Sequence, residues 1–224
     1  DGLAEGIFGE ALEGIRDGVV LATKFWFHEP WNTADATARL QQSLDRLRTR
    51  AVDVLQLHGL AFDDARAAAI ERAGVLDWLD EMRGRGFCRF RGITAEAPSG
   101  ALERLLRTGR FDVGMFAYNF IYQAMCDYQR EPFGIIPLAR SLGMGVVTMR
   151  PLTSGFLQKL FAEEFSGIPL EHVNALALKF VLSTPEVDVA VAGMLSSGEV
   201  EANAALASDP TARLDLKDLH HRYV

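Results

Sequence analysis

A lysine closes one short apolar run of this chain, and a histidine closes the next. The runs are residues 19–24, ending in Lys24, and residues 52–58, ending in His58. If both are strands, the two-residue period puts Lys24 on the face of Val20 and Ala22, and His58 on the face of Val54 and Gln56. A lysine turned inward at the end of an apolar strand is costly unless an acid or a polar substrate meets it. The plainer alternatives are a lysine bent out to solvent and a core histidine with its hydrogen bonds satisfied. The occurrence of the pair on adjacent strand ends favours chemistry. His28, His172, His220 and His221 lack the spacing of metal ligands, as do Cys88 and Cys126, so no metal site is expected.

The elements that must position the pair alternate regularly. A helix over residues 5–15 precedes the first strand, and a second, with Thr33 as its N-cap, carries Leu40, Leu44 and Leu47 on one stripe. A helix over residues 70–82 stops at Gly84 and Gly86, ahead of a strand over 88–94. Further pairs follow: a helix over 100–107 with a strand over 113–119, and a helix over 132–142 with a strand over 145–149. The last is a helix over 171–182 with a strand over 187–193. A helix over 197–207 and a short polar helix close the chain.

Strict strand–helix alternation implies parallel strands joined by right-handed crossovers, hence an α/β fold. A doubly wound nucleotide-binding sheet would carry a glycine-rich turn after its first strand, whereas Lys24-Phe25-Trp26-Phe27-His28 stands there. A (β/α)8 TIM barrel is therefore favoured, with polar residues at the strand C-termini as its chemistry. About six of its eight units can be read, in a single domain over residues 1–224.

Composition narrows the partners. The 224 residues are 49% hydrophobic and 24% charged, with a net charge of -7. No basic tract points to nucleic acid, and no apolar run reaches the ~18 residues of a membrane span. Two cysteines suit a reducing cytoplasm.

Motifs in order along the chain then resemble a known family. Val19-Val20-Leu21-Ala22-Thr23-Lys24-Phe25, Ser43-Leu44-Asp45-Arg46-Leu47 and Val52-Asp53-Val54-Leu55-Gln56-Leu57-His58-Gly59 are similar to the aldo-keto reductases. So are Gly92-Ile93-Thr94, Tyr118-Asn119, Met149-Arg150-Pro151-Leu152, and Gly193-Met194 with Glu199-Val200-Glu201-Ala202-Asn203. The resemblance implies hydride transfer between NADP(H) or NAD(H) and a small-molecule carbonyl or alcohol. Lys24 and His58 match the family's catalytic lysine and histidine. Its binding positions correspond to Thr94, Met149, Arg150, Pro151, Leu152, Gly193, Ser196, Ser197 and Asn203, and its substrate wall to Phe25 and Trp26. The family's following asparagine is Ala95 here, its glutamine is Met115, and its phosphate-gripping arginine is Glu199, whose charge would repel a 2′-phosphate.

The family's aspartate and tyrosine find no match. They are expected just before the first helix, and laying the pattern without a gap sets Asp1 on the tyrosine. The absence of a starting methionine and the missing two strands lead us to expect a fragment, because unpaired strand edges would otherwise be exposed. The competing expectation is a catalytically silent relative that binds nucleotide or a protein partner.

Overall fold

The structure, a computed structural model, describes residues 2–126, 133–164, 167–216 and 218. Two compact units divide the chain, Asp1–Ala95 with Ser99–Val113, and Glu96–Pro98 with Gly114–Val224.

The first unit alternates helix and strand: α1 (Leu3–Ala11), β1 (Ala22–Trp26), α2 (Thr33–Arg46), β2 (Val52–His58), α3 (Asp64–Arg72), α4 (Val75–Gly84), β3 (Cys88–Ala95) and α5 (Gly100–Arg107). Its strands lie in chain order, β1 parallel to β2 and β2 parallel to β3. β2 is buried on both faces up to His58, as a central parallel strand should be. α5 shows how directly the sequence sets an element. Ser99 Oγ accepts the Leu102 N–H at 3.0 Å, and the stripe Ala101, Leu102, Leu105, Leu106 is buried.

Several expected boundaries move, among them the first helix, which is Leu3–Ala11 rather than 5–15, and the last strand, which is Val189–Val191 rather than 187–193. Three shifts have a plain local reason. β1 begins at Ala22 rather than residue 19: the Leu21 carbonyl still accepts the Asp53 and Val54 N–H of β2, but its own N–H is diverted to the Asp53 carboxylate at 2.9 Å. The single helix expected over 70–82 is two, α3 and α4, broken where Gly74 takes φ 74°, a conformation that favours glycine. The cap of α2 is Asn32, one residue before Thr33, with Oδ1 accepting from Ala34 and Asp35 N–H.

The second unit contains β4 (Val113–Ala117), α6 (Ile135–Ser141), β5 (Gly145–Met149), α7 (Phe156–Glu164), α8 (Leu170–Leu182), β6 (Val189–Val191) and α9 (Ser197–Ser208). Its strands also follow chain order, with β5 parallel to β6. The helix α7 is absent from the sequence reading. It packs Leu157 onto Val173 and Ala177 of α8. Tyr118 is fully buried, with its hydroxyl accepting from Thr184 Oγ1 at 3.1 Å. Burial pushes that phenol up, well beyond its ordinary range. Asp1, Pro132, His220 and His221, all used in the sequence reading, lie outside the described residues, as does most of the closing polar segment.

Two carboxylates, the buried Asp53 and the half-buried Asp112, knit the first unit. Asp53 accepts from Leu21 N–H, from Arg89 at 2.8 Å and from Arg16 at 3.0 Å. Asp112 accepts from the Arg91 guanidinium at 3.0 and 3.1 Å, and Arg91 also pairs with Asp80. Burial pushes both Asp53 and Asp112 up, but these donors outweigh it and hold both below the usual carboxylate range. A pKa lower in the folded than in the unfolded state gives stability that is present above the unfolded value of about 4 and lost as pH falls through the folded values. Urea unfolding between pH 7 and pH 2 should therefore show stability falling below about pH 4, and Asp53→Asn should flatten that fall. An unchanged profile in the variant would remove Asp53 from this account.

Candidate active site

The C-terminal half of β1 and β2 sets the first group of side chains. Their parallel register matches Ala22 with Val54, Lys24 with Gln56 and Trp26 with His58. Partners in register share a face, so Lys24, Trp26, Gln56 and His58 stand together on one side of the two strands. The alternation expected for Lys24 and His58 thus holds, with one difference in burial. Lys24 and Ala22 are exposed, and Val20 precedes the strand at 78% exposure. His58 is half-buried beneath Trp26, whose ring lies 3.9 Å from the imidazole centroid at 36°.

The two aromatics read as a substrate wall separate by strand parity. Trp26 is on the Lys24 face. Phe25 is on the other, edge-on to Trp78 at 4.8 Å and 6.0 Å from Trp31. A groove of about 1030 Å³ runs past the strand, reached by Lys24, Phe25, Trp26, Trp31, Asp35 and Arg39. His58 does not line it. Thr94, near the end of β3, is fully buried, and its hydroxyl both donates to Gly59 O and accepts from Gly59 N–H at 3.1 Å. It therefore ties the exits of β2 and β3 together.

In the second unit, Met149 ends β5 half-buried, and Pro151 behind it is buried. The turn over residues 150–154 is conformationally costly: Arg150, Thr153 and Ser154 have φ of 59°, 54° and 53°. Side-chain bonds fix it. Asn119 Nδ2 donates to Arg150 O at 3.0 Å, Arg150 pairs with Glu96 at 2.7 Å, and Thr153 Oγ1 accepts from Leu157 N–H at 2.8 Å. Leu152 is half-buried and packs against the α7–α8 cluster. Glu96 was not singled out in the sequence, and no spacing signal marks it.

Gly193, Ser196 and Ser197 lead into α9 and are exposed, whereas Asn203 is half-buried. Ser196 Oγ accepts from Glu199 N–H at 3.2 Å, and the Glu199 carboxylate reaches back to Leu195 N–H at 2.6 Å. This reciprocal arrangement resembles a capping box. Two hydroxyls and N–H groups at a helix start suit a phosphate or sugar. Glu199 adds a negative charge at the same turn.

Gln56 is the side chain that the sequence reading passed over. It is 2% exposed, and its Oε1 finds no hydrogen-bond partner among the described residues. The one available signal was a polar residue inside the run Val54-Leu55-Gln56-Leu57.

Known proteins give this arrangement its context. The model of the aldo/keto reductase family matches residues 1–173. An uncharacterized oxidoreductase of Bacillus subtilis is 26% identical over 166 residues, 70% of this chain and 49% of the relative. L-galactose dehydrogenase of Arabidopsis thaliana is 25% identical over 92% of this chain and 70% of its own length. The chain thus spans about half of the first relative. An aldo-keto reductase of Bacillus halodurans, solved in its holo form, superposes with a TM-score of 0.73 at 26% identity, covering 98% of this chain and 77% of that one. These neighbours are (β/α)8 barrels, and the parallel α/β layout seen here is theirs. The chain belongs to the aldo/keto reductase family.

Proposed function

We propose that the protein is an NAD(P)(H)-dependent oxidoreductase that reduces an aldehyde or ketone to an alcohol, or runs the reverse. The observation that carries the reading is the placement of Lys24 and His58 on one face of adjacent parallel strands, in a chain of this family. His58 ends β2, whereas Lys24 lies two residues before the end of β1, which runs on to Trp26 rather than stopping at the lysine. His58 would orient the carbonyl oxygen, and Lys24 would supply the positive field for the alkoxide that develops there. Trp26 covers His58 and would exclude water from that oxygen. The proton donor of this reading is a tyrosine N-terminal to α1, acidified by Lys24. Bound cofactor supplies the hydride. By the family's pattern the positions proposed to hold it are Thr94 in the first unit and Met149, Arg150, Pro151, Leu152, Gly193, Ser196, Ser197 and Asn203 in the second. Phe25 backs the wall that Trp26 faces.

The test is cofactor oxidation by the full-length protein with a panel of aldehydes and ketones. Turnover is expected, with tighter binding of NADH than NADPH because Glu199 opposes a 2′-phosphate. Glu199→Gln should shift the preference toward NADPH by roughly fivefold, as one exposed charge interaction is worth up to about 1 kcal/mol. Binding without turnover of any carbonyl would leave the silent nucleotide-binding reading. Equal binding of the two cofactors would sink the charge argument alone.

A further inference from the structure

Arg150 stands in a conformation that suits glycine. Its φ is 59°, in the left-handed region where an L side chain is strained, yet the residue there is an arginine. Backbone and side chain are both held. Asn119 Nδ2 donates to the Arg150 carbonyl at 3.0 Å, and Asn119 Oδ1 in turn accepts the Ile121 and Tyr122 N–H at 3.0 and 2.8 Å. Glu96 holds the side chain, its carboxylate accepting from Nη2 at 2.7 Å. Glu96, Asn119, Tyr122 and Arg150 all belong to the second unit, so the arrangement is internal to it. Glu96 is the better buried partner, with 29% of its side chain exposed against 49% for Arg150. The half-buried Tyr122 feels its charge: burial first, and then Glu96, push that phenol up. The carboxylate is thus the anchor and the guanidinium the more open end. An exposed ion pair by itself contributes little to stability, whereas strained residues cluster where a side chain must be placed for a ligand. A guanidinium has five N–H donors, and the bond to Glu96 uses one of them. Nη1 reaches Ser154 Oγ only at 3.5 Å, near the limit of a hydrogen bond. Arg150 can therefore keep Glu96 and meet a second anion at once.

We propose that Glu96 is a positioning residue for Arg150, holding the guanidinium at the exit of β5 so that its remaining donors meet a phosphate oxygen of the bound dinucleotide. This rests on the reductase reading, in which Arg150 is a cofactor contact. Two effects of Glu96 oppose each other: its charge repels a phosphate, and its bond spares the ligand the cost of ordering a long side chain. Because the pair already neutralises that charge, ordering is the larger effect.

The experiment is NADH binding by the full-length protein and its variants, with kcat and KM measured beside it. Glu96→Ala should weaken binding roughly fivefold, within the cost of immobilising one long side chain, and raise KM for the cofactor with kcat within about twofold. Glu96→Gln keeps an acceptor for Nη2 and should stay within about twofold of the parent. Arg150→Gly suits a φ of 59° and Arg150→Ala does not, so an equal loss of affinity in the two is expected if the guanidinium matters and not the shape of the turn. On the Arg150→Ala background, Glu96→Ala should bind no more weakly, because the carboxylate there has no guanidinium to hold. A readout free of the cofactor is the pair of Arg150 15Nη signals, resolved while Glu96 holds the group and averaged in Glu96→Ala. Four results overturn the proposal and leave the reductase reading standing: unchanged or tighter NADH binding by Glu96→Ala, a loss that persists without Arg150, a loss confined to Arg150→Ala and absent from Arg150→Gly, or 15Nη signals indifferent to Glu96. If the parent protein binds neither NADH nor NADPH, the reading falls and this proposal with it.

Discussion

Lys24→Met in the full-length protein should lower carbonyl reduction by roughly 10² to 10⁴-fold while cofactor affinity stays within about twofold. The reasoning starts from where the residue stands. Lys24 is the third residue of β1, on the face that carries Trp26 and, through the strand register, Gln56 and His58. It is exposed and makes no ion pair with another described residue, so the substitution removes no structural bond. Methionine keeps the length of the side chain and its apolar stem, and only the charge is lost. A fall in kcat without a fall in stability would therefore isolate the electrostatic contribution at the developing alkoxide. His58→Gln should cost less, because an amide can still donate a hydrogen bond to the oxygen. Full activity in Lys24→Met would remove the lysine from the mechanism and with it the proposed function.

How far this site could be read from residues alone follows from the range of the interactions involved. Lys24 and His58 were legible because strand parity is local: the residue at a strand end fixes its own face by counting back two. Phe25 was not, since parity puts it opposite Trp26, where it meets Trp31 and the ring of Trp78, fifty-three residues away in sequence. Thr94 shows the same limit, because the hydroxyl that could face a ligand is bonded to Gly59, at the exit of a different strand. In the fold, α5 matched its expected bounds because cap and stripe are both short-range signals. The start of β1 shifted because the Asp53 side chain, thirty-two residues on, takes the Leu21 N–H that a longer strand would have used. The α3–α4 break was signalled by Gly74, but a continuous apolar pattern on either side masked it. α7 has one buried residue, Leu157, so its periodicity is weak and its existence depends on α8.

The largest expected effect on stability lies under β1. Trp78 of α4 is 2% exposed, edge-on to Phe25 at 4.8 Å and to Trp31 at 5.5 Å, and its indole N–H donates to Thr37 Oγ1 at 2.9 Å. Trp78→Ala should destabilise the protein by about 3–5 kcal/mol in urea unfolding, through lost burial plus the cavity left among rings that cannot collapse into it. Against a typical total of about 5–15 kcal/mol, that is enough to bring the domain near its threshold. Trp78→Phe retains a ring but loses the bond to Thr37, whose hydroxyl still donates to Thr33 O, and should cost about 1–2 kcal/mol, the range of a small cavity plus one lost hydrogen bond. A loss below 1 kcal/mol in the alanine variant would show that the Phe25–Trp31–Trp78 cluster repacks freely. The consequence reaches the chemistry because Phe25 and Lys24 are consecutive on one short strand. If the cluster holds β1 in place, Trp78→Phe, still folded, should lower kcat without changing cofactor affinity, as a strand displaced by a fraction of an ångström carries Lys24 with it. A stability loss with kcat unchanged would make the cluster purely structural, and β1 would then owe its position to β2 alone.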